Sequence, residues 1–133
     1  NNIYGPRQKN HFVDEFIARA KTGDIALYGW ENTRSWLYVE DFTEAIEKLL
    51  NSKSAVGEKI NIGSNDEVEV LKLAEVIIQH MGIDQPIEKH DAPEGSVARR
   101  MPDITKIKSL TQWEPTTSLE EGLKTTVEWY MAQ

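Results

Sequence analysis

The sequence contains no cysteine, which removes disulfides, thiolate nucleophiles and cysteine-ligated zinc, and is compatible with a reducing cytoplasm. Its three histidines, His11, His80 and His90, stand far apart without H-x-H or H-x-x-x-H spacing, so no metal site is expected. No apolar run approaches the ~20 residues that cross a bilayer, and no charged-then-apolar signal segment opens the chain. The expectation is a cytoplasmic chain with no membrane partner. Basic charge is also scarce: 15 Lys and Arg face 22 Asp and Glu, a net charge of −7. That excess of acid, with the basic residues scattered, argues against nucleic acid as a partner and leaves room only for a local cationic pocket.

What is present is enough apolar material, 39% of 133 residues, for one domain spanning 1–133 with a single core. Gly5-Pro6 is turn chemistry, and the residues before it, from Asn1, read as the end of an element; a piece of a longer protein is expected. Phe12, Phe16, Ile17 and Ala20 predict a helix over 10–21, stopped by Thr22-Gly23. Ile25 to Tyr28 predicts a short strand, and a loop through Trp30 leads back to a second strand opening at Arg34. Asp41, with Glu44 three residues on, predicts the N-cap of a helix ending at Leu50. Residues 58–63 alternate and predict a strand, and Val70, Leu73, Ala74, Ile77 and Met81 predict a helix ended by Gly82. The stretch 83–97 reads as a loop around a short strand near Ile87. Asp103 predicts an N-cap for a helix over 104–110, and Ser118 with Glu121 a capping box for a last helix presenting Leu123, Val127, Tyr130 and Met131 on one side. Trp113 and Trp129 are expected to bury core. The fold class is mixed α/β, with several helices and small strand pairs.

Two places carry candidate chemistry. Arg34 opens an apolar strand, where a cation is costly unless an anion or carboxylate meets it; a salt bridge at an exposed strand end is the ordinary alternative. Arg99-Arg100 are adjacent like charges that repel unless an anion or acid neutralises them, which makes them the second candidate anion site; a solvated loop pair is the alternative. Trp30 could join Arg34 in clasping a ring and a phosphate, or simply cover the edge of a hairpin.

Six segments in order carry a resemblance: N-x-Y-G-P-R (Asn2 to Arg7), Tyr28-Gly29, R-S-W-L-Y-V-E-D (Arg34 to Asp41), N-I-G-S (Asn61 to Ser64), R-x-P-D-I-T-K (Arg100 to Lys106) and W-E-P (Trp113 to Pro115). The chain resembles the C-terminal third of the extended short-chain dehydrogenases/reductases, the NAD-dependent nucleotide-sugar epimerases, dehydratases and decarboxylases. The resemblance implies a nucleotide-sugar substrate, with Asn2 touching the diphosphate, Tyr28 lining the base pocket, Arg34 on a phosphate oxygen and Arg100 on diphosphate or ribose. Two positions depart from the family: Trp30-Glu31 follows Tyr28-Gly29 where many members have Y-G-x-G, and Pro93 stands where many have arginine.

The resemblance also implies what lies elsewhere. The sequence has no G-x-x-G-x-x-G, and no tyrosine is followed by lysine four residues on. In the family these belong to an N-terminal Rossmann domain that holds NAD and removes hydride from C4 of the sugar. The expectation is a substrate-binding portion without catalytic residues, inactive alone, binding no cofactor and little or no nucleotide sugar by itself, with a homodimeric parent using NAD. Its former domain face, including apolar parts of 41–50, is expected to self-associate. R-x-P-D-I-T-K with F-V-x-x-F-I resembles UDP-glucuronate decarboxylases and UDP-sugar 4-epimerases, whereas W-L-Y-V-E-D and T-V-E-W-Y lean toward dTDP-glucose 4,6-dehydratases. A free-standing binding module and a short-chain reductase of a non-sugar ketone are the alternatives.

Overall fold

A computed structural model describes residues 2–133; Asn1, which precedes the opening motif, lies outside them. Strand β1 (Asn2–Tyr4) runs parallel to β4 (Trp36–Tyr38), with Ile3 opposite Leu37. Between them come helix α1 (Phe12–Lys21), strand β2 (Ala26–Tyr28) and strand β3 (Thr33–Arg34). Helix α2 (Val39–Leu50) follows β4 directly. A single 3-10 turn over Lys53–Ala55 and an irregular stretch then lead to β5 (Val68–Glu69) and α3 (Val70–His80). The remaining elements are β6 (Glu88–His90), β7 (Arg99–Arg100), α4 (Thr105–Thr111) and α5 (Leu119–Met131). None of the helices among the described residues is long and apolar enough to cross a membrane.

Helices α1, α3 and α5 form where the 3.6-residue apolar period predicts them, because each buries that stripe. Phe16 and Ile17 of α1, Leu73 and Ile77 of α3, and Leu123 and Val127 of α5 meet in one cluster with Tyr4, Leu27 and Tyr38. A second cluster, which composition alone does not separate from the first, gathers Leu37, Ala45, Ile104, Ile107 and Trp113, flanked by Ile3, Phe42, Leu49, Ile60 and Ile62. Core burial therefore divides between two nuclei rather than one. Trp113 is 1% exposed, as expected, but Trp129 is only half-buried, its ring edge-on to Tyr130, and Met131 is exposed. The last turn of α5 runs past the edge of the core.

Several local expectations change. The strands at 26–28 and 33–34 do not form a hairpin: β2 pairs in parallel with β6, and β3 sits between β5 and β7 in a separate sheet. Residues 58–63 form no strand among the described residues. Their alternation instead places Ile60 and Ile62 against the second cluster, since burial of one face needs no ladder. Helix α2 begins at Val39, two residues before Asp41, so Asp41 lies in its first turn and is buried. Its carboxylate accepts from Thr116 Oγ1 at 3.1 Å and from the Thr117 backbone N–H at 2.9 Å, tying the segment before α5 to α2. The capping box at Ser118 and Glu121 is present. On α2, Ile46 and Leu50 are left exposed, and Val56 beyond it is exposed too.

Tyr4 makes the first cluster sensitive to alkali. Its phenol is held well above its ordinary value, first by burial and then by the neighbouring Tyr38 and Asp41. The folded state therefore keeps this proton to higher pH than the unfolded chain, whose tyrosines titrate near 10. The resulting stability is complete below pH ~10 and falls above it, by up to about 1.4 kcal/mol per pH unit for one group. Urea titrations from about pH 9 to 11 should show this decline, and Tyr4→Phe should flatten it. An equal decline in the variant would remove Tyr4 as its source.

Candidate nucleotide-sugar site

The site grows from a three-stranded sheet in which β3 is central, antiparallel to β5 and parallel to β7. Arg99-Arg100, read from sequence as a loop, is thereby a strand, and the register sets Thr33 opposite Arg99 and Arg34 opposite Arg100. Successive side chains on a strand take opposite faces, so Arg34 and Arg100 share one face and Thr33 and Arg99 the other. Two arginines 66 positions apart in the chain thus become direct cross-strand neighbours.

That pairing is electrostatically unfavourable in the free protein, because like charges opposite each other across strands repel. Arg34 is half-buried, and its guanidinium is held below its usual value by burial first and by Arg100 second. Its Nη1 donates to the Thr33 carbonyl at 2.7 Å. Among the described residues neither Arg34 nor Arg100 forms a salt bridge, whereas Arg99 does, with Glu67 at 2.6 Å. The salt-bridge alternative for Arg34 is thus not realised among the described residues.

Arg100 also borders an open cleft of about 240 Å³, lined further by Asn2, Ser35, Asn61, Met101, Pro102 and Asp103. Asn2 is fixed at its rim by a bond from Nδ2 to the Ser35 carbonyl at 3.2 Å. Asp103 is turned back on its own chain, accepting from the Thr105 N–H at 2.9 Å, and the Thr105 hydroxyl first and this bond second hold its carboxyl below the ordinary range. The lining rests on the second core cluster. Asn2 precedes Ile3, Asn61 lies between Ile60 and Ile62, and Asp103 precedes Ile104, all four isoleucines belonging to that cluster or packed on it. Polar residues alternate with core residues, so burial of one set presents the other.

Of the residues singled out from sequence, the structure brings together Asn2 and Arg100 on the cleft and Arg34 beside Arg100. Tyr28 stands apart on the β2–β6 pair, 57% exposed, with its ring stacked on His90 at 4.8 Å. It does not line the cleft among the described residues. Asn61 and Ser35 were legible only as members of the N-I-G-S and R-S-W-L motifs, and Glu67 only as one of several capping candidates before the helix that opens at Val70. No cluster of metal-ligating residues occurs among the described residues.

Comparison with known proteins agrees with this architecture. Residues 1–126 match the GDP-mannose 4,6 dehydratase family. A UDP-N-acetyl-alpha-D-glucosaminuronate decarboxylase of Bacillus cytotoxicus is 39% identical over 97% of this chain and 44% of its own length. Among solved structures, UDP-glucose 4-epimerase of Thermotoga maritima, determined with UDP-glucose, superposes with a TM-score of 0.87 at 31% identity, covering 98% of this chain and 44% of that one. The dTDP-glucose 4,6-dehydratase of Bacillus anthracis, determined with NAD, gives a TM-score of 0.85 at 34% identity, covering 98% and 42%. The chain spans less than half the length of each of these relatives. It belongs to the NAD-dependent nucleotide-sugar epimerases and dehydratases of the extended short-chain dehydrogenase/reductase family.

Proposed function

We propose that this chain is the substrate-gripping, C-terminal portion of an enzyme that modifies a pyrimidine nucleoside diphosphate sugar, with Arg34 and Arg100 holding the diphosphate. The observation that carries this reading is the Arg34–Arg100 register pair, which meets no carboxylate among the described residues. A diphosphate laid against both guanidinium forks turns the cost of their proximity into charge-assisted hydrogen bonds. Asn2 and Asn61 add neutral polar groups along the cleft that Arg100, though not Arg34, lines. The UDP and dTDP sugars named for the relatives support the pyrimidine donor. Tyr28, being exposed and aromatic, would reach the base only from the β2–β6 side.

NAD would be held by a portion beyond these residues, a reading supported by the relative determined with NAD. The role assigned to this chain is binding and orientation, which contributes to catalysis by fixing the sugar against groups supplied elsewhere. By itself it is inactive and its grip is weak.

The test is a titration of isotope-labelled chain with UDP-glucose, following arginine side-chain and backbone NMR signals. Saturation is expected only in the millimolar range, with uridine binding far more weakly than UDP. Arg34→Ala and Arg100→Ala should each weaken binding by about tenfold or more, the scale of one lost charge-assisted bond. Uridine binding as tightly as UDP-glucose, or indifference to both substitutions, would overturn the assignment in favour of a phosphate-free ligand. Micromolar binding in a calorimeter would contradict the incomplete cleft.

A further inference from the structure

On the face of the β5–β3–β7 sheet opposite the arginine pair, one carboxylate reaches all three strands. Glu67 immediately precedes β5; its Oε1 accepts from the Thr33 hydroxyl of β3 at 2.6 Å and from Arg99 Nε of β7 at 2.6 Å, and its Oε2 accepts from Arg99 Nη2 at 3.0 Å. Arg99 is therefore gripped in a two-pronged fork, which fixes direction as well as distance. Strand β7 has little else to hold it. It is two residues long and exposed, it follows the exposed stretch 93–98, and among the described residues its ladder pairing is to β3 alone, aided by the Thr33 N–H to Ala98 carbonyl bond at 2.9 Å.

We propose that Glu67 is a positioning residue for the diphosphate site, a tie-bar that clamps β7 against β3 and so holds Arg100 opposite Arg34 despite their repulsion. The inference rests on the functional reading above, since it assumes that both arginines meet one ligand. The geometry is economical: Thr33 and Arg99 are the register neighbours on one face, Arg34 and Arg100 on the other, and a link across the first pair fixes the separation of the second. Glu67 itself never touches the ligand. Its carboxyl is held below the ordinary range, chiefly by Arg99 and then by Thr33, so the clamp stays ionised through neutral pH.

The proposal makes a prediction opposite in sign to plain electrostatics. Glu67→Gln removes a negative charge from a sheet that binds an anion, and charge alone says that affinity should rise. If the carboxylate positions β7, affinity should fall. With UDP as probe and NMR titration as readout, Glu67→Gln and Glu67→Ala are each expected to bind about fivefold more weakly, the upper range for an exposed ion pair. Thr33→Val, which alters no charge, should show a smaller loss. The exchanged variant Glu67→Arg with Arg99→Glu restores the pair at unchanged net charge and should recover binding to within about twofold. Melting temperatures identify any variant that has lost its fold, and the exchanged pair keeps the proposal testable in that case. Tighter or unchanged UDP binding in Glu67→Gln while Arg34→Ala still weakens it would overturn the tie-bar and leave the diphosphate site standing. Indifference of UDP binding to Arg34→Ala would remove the site itself.

Discussion

Replacing Gly122 by alanine is expected to destabilise the chain by about 3 kcal/mol, although helix propensity predicts a gain of about 1 kcal/mol at an ordinary helical position. Gly122 lies in the first turns of α5 and is buried. A methyl group there would sit against the Tyr4 hydroxyl oxygen, 2.9 Å from Tyr4 Cζ and 3.1 Å from Tyr38 Cδ2. A long surface side chain would swing away. Tyr4 has no such freedom: it is 2% exposed, and its ring lies 5.6 Å from that of Tyr38, centroid to centroid. Accommodating the methyl therefore requires β1 or α5 to shift within a close-packed interior. Urea unfolding followed by circular dichroism measures the loss. Because the hydroxyl is the nearest atom, adding Tyr4→Phe should recover part of it, a non-additive pair of the kind contacting residues show. A neutral or stabilised Gly122→Ala would mean that α5 does not sit so close to β1.

The helices were legible because periodicity reports burial of a stripe, and Leu73, Ile77, Leu123 and Val127 have no other use for their spacing. The strands were harder. β3, β5 and β7 are two residues each, too short for alternation to register, and their existence depends on partners distant in sequence. Hence Arg99-Arg100 reads as a loop until β3 is placed beside it. Asp41 misled for a related reason: a carboxylate followed by Glu44 has the pattern of a capping box, but the partners it finds, Thr116 and Thr117, come from the other end of the chain. Resemblance to a known family supplied what local pattern could not, namely the expectation that Arg34 and Arg100 serve one site. The physical reason, a shared face of one small sheet, is visible only in three dimensions. Glu67 escaped both routes because one capping candidate in an acidic chain does not point to a site.

The second large effect is expected at Trp113, where alanine should cost about 3–5 kcal/mol, the usual price of deleting a fully buried indole. Trp113 follows α4 through Gln112, which takes the left-handed conformation at φ 60°, so the chain turns sharply and drives the indole into the second cluster. There it fills the space between Leu37, Ala45, Ile104 and Ile107. Its Nε1–H finds no acceptor among the described residues, so Trp113→Phe surrenders no protein hydrogen bond and should cost about 1–2 kcal/mol for the lost volume. The consequence reaches the site. Ile3, Ile60, Ile62 and Ile104 belong to or pack on the same cluster, and they alternate with Asn2, Asn61 and Asp103 along the cleft. Loosening that floor should weaken UDP binding in Trp113→Ala even under conditions where α1, α3 and α5 remain folded, because those helices bury their faces in the other cluster. Circular dichroism and UDP titration of the same samples separate the two effects. Binding that survives Trp113→Ala at full strength would show that the cleft does not depend on the cluster beneath it.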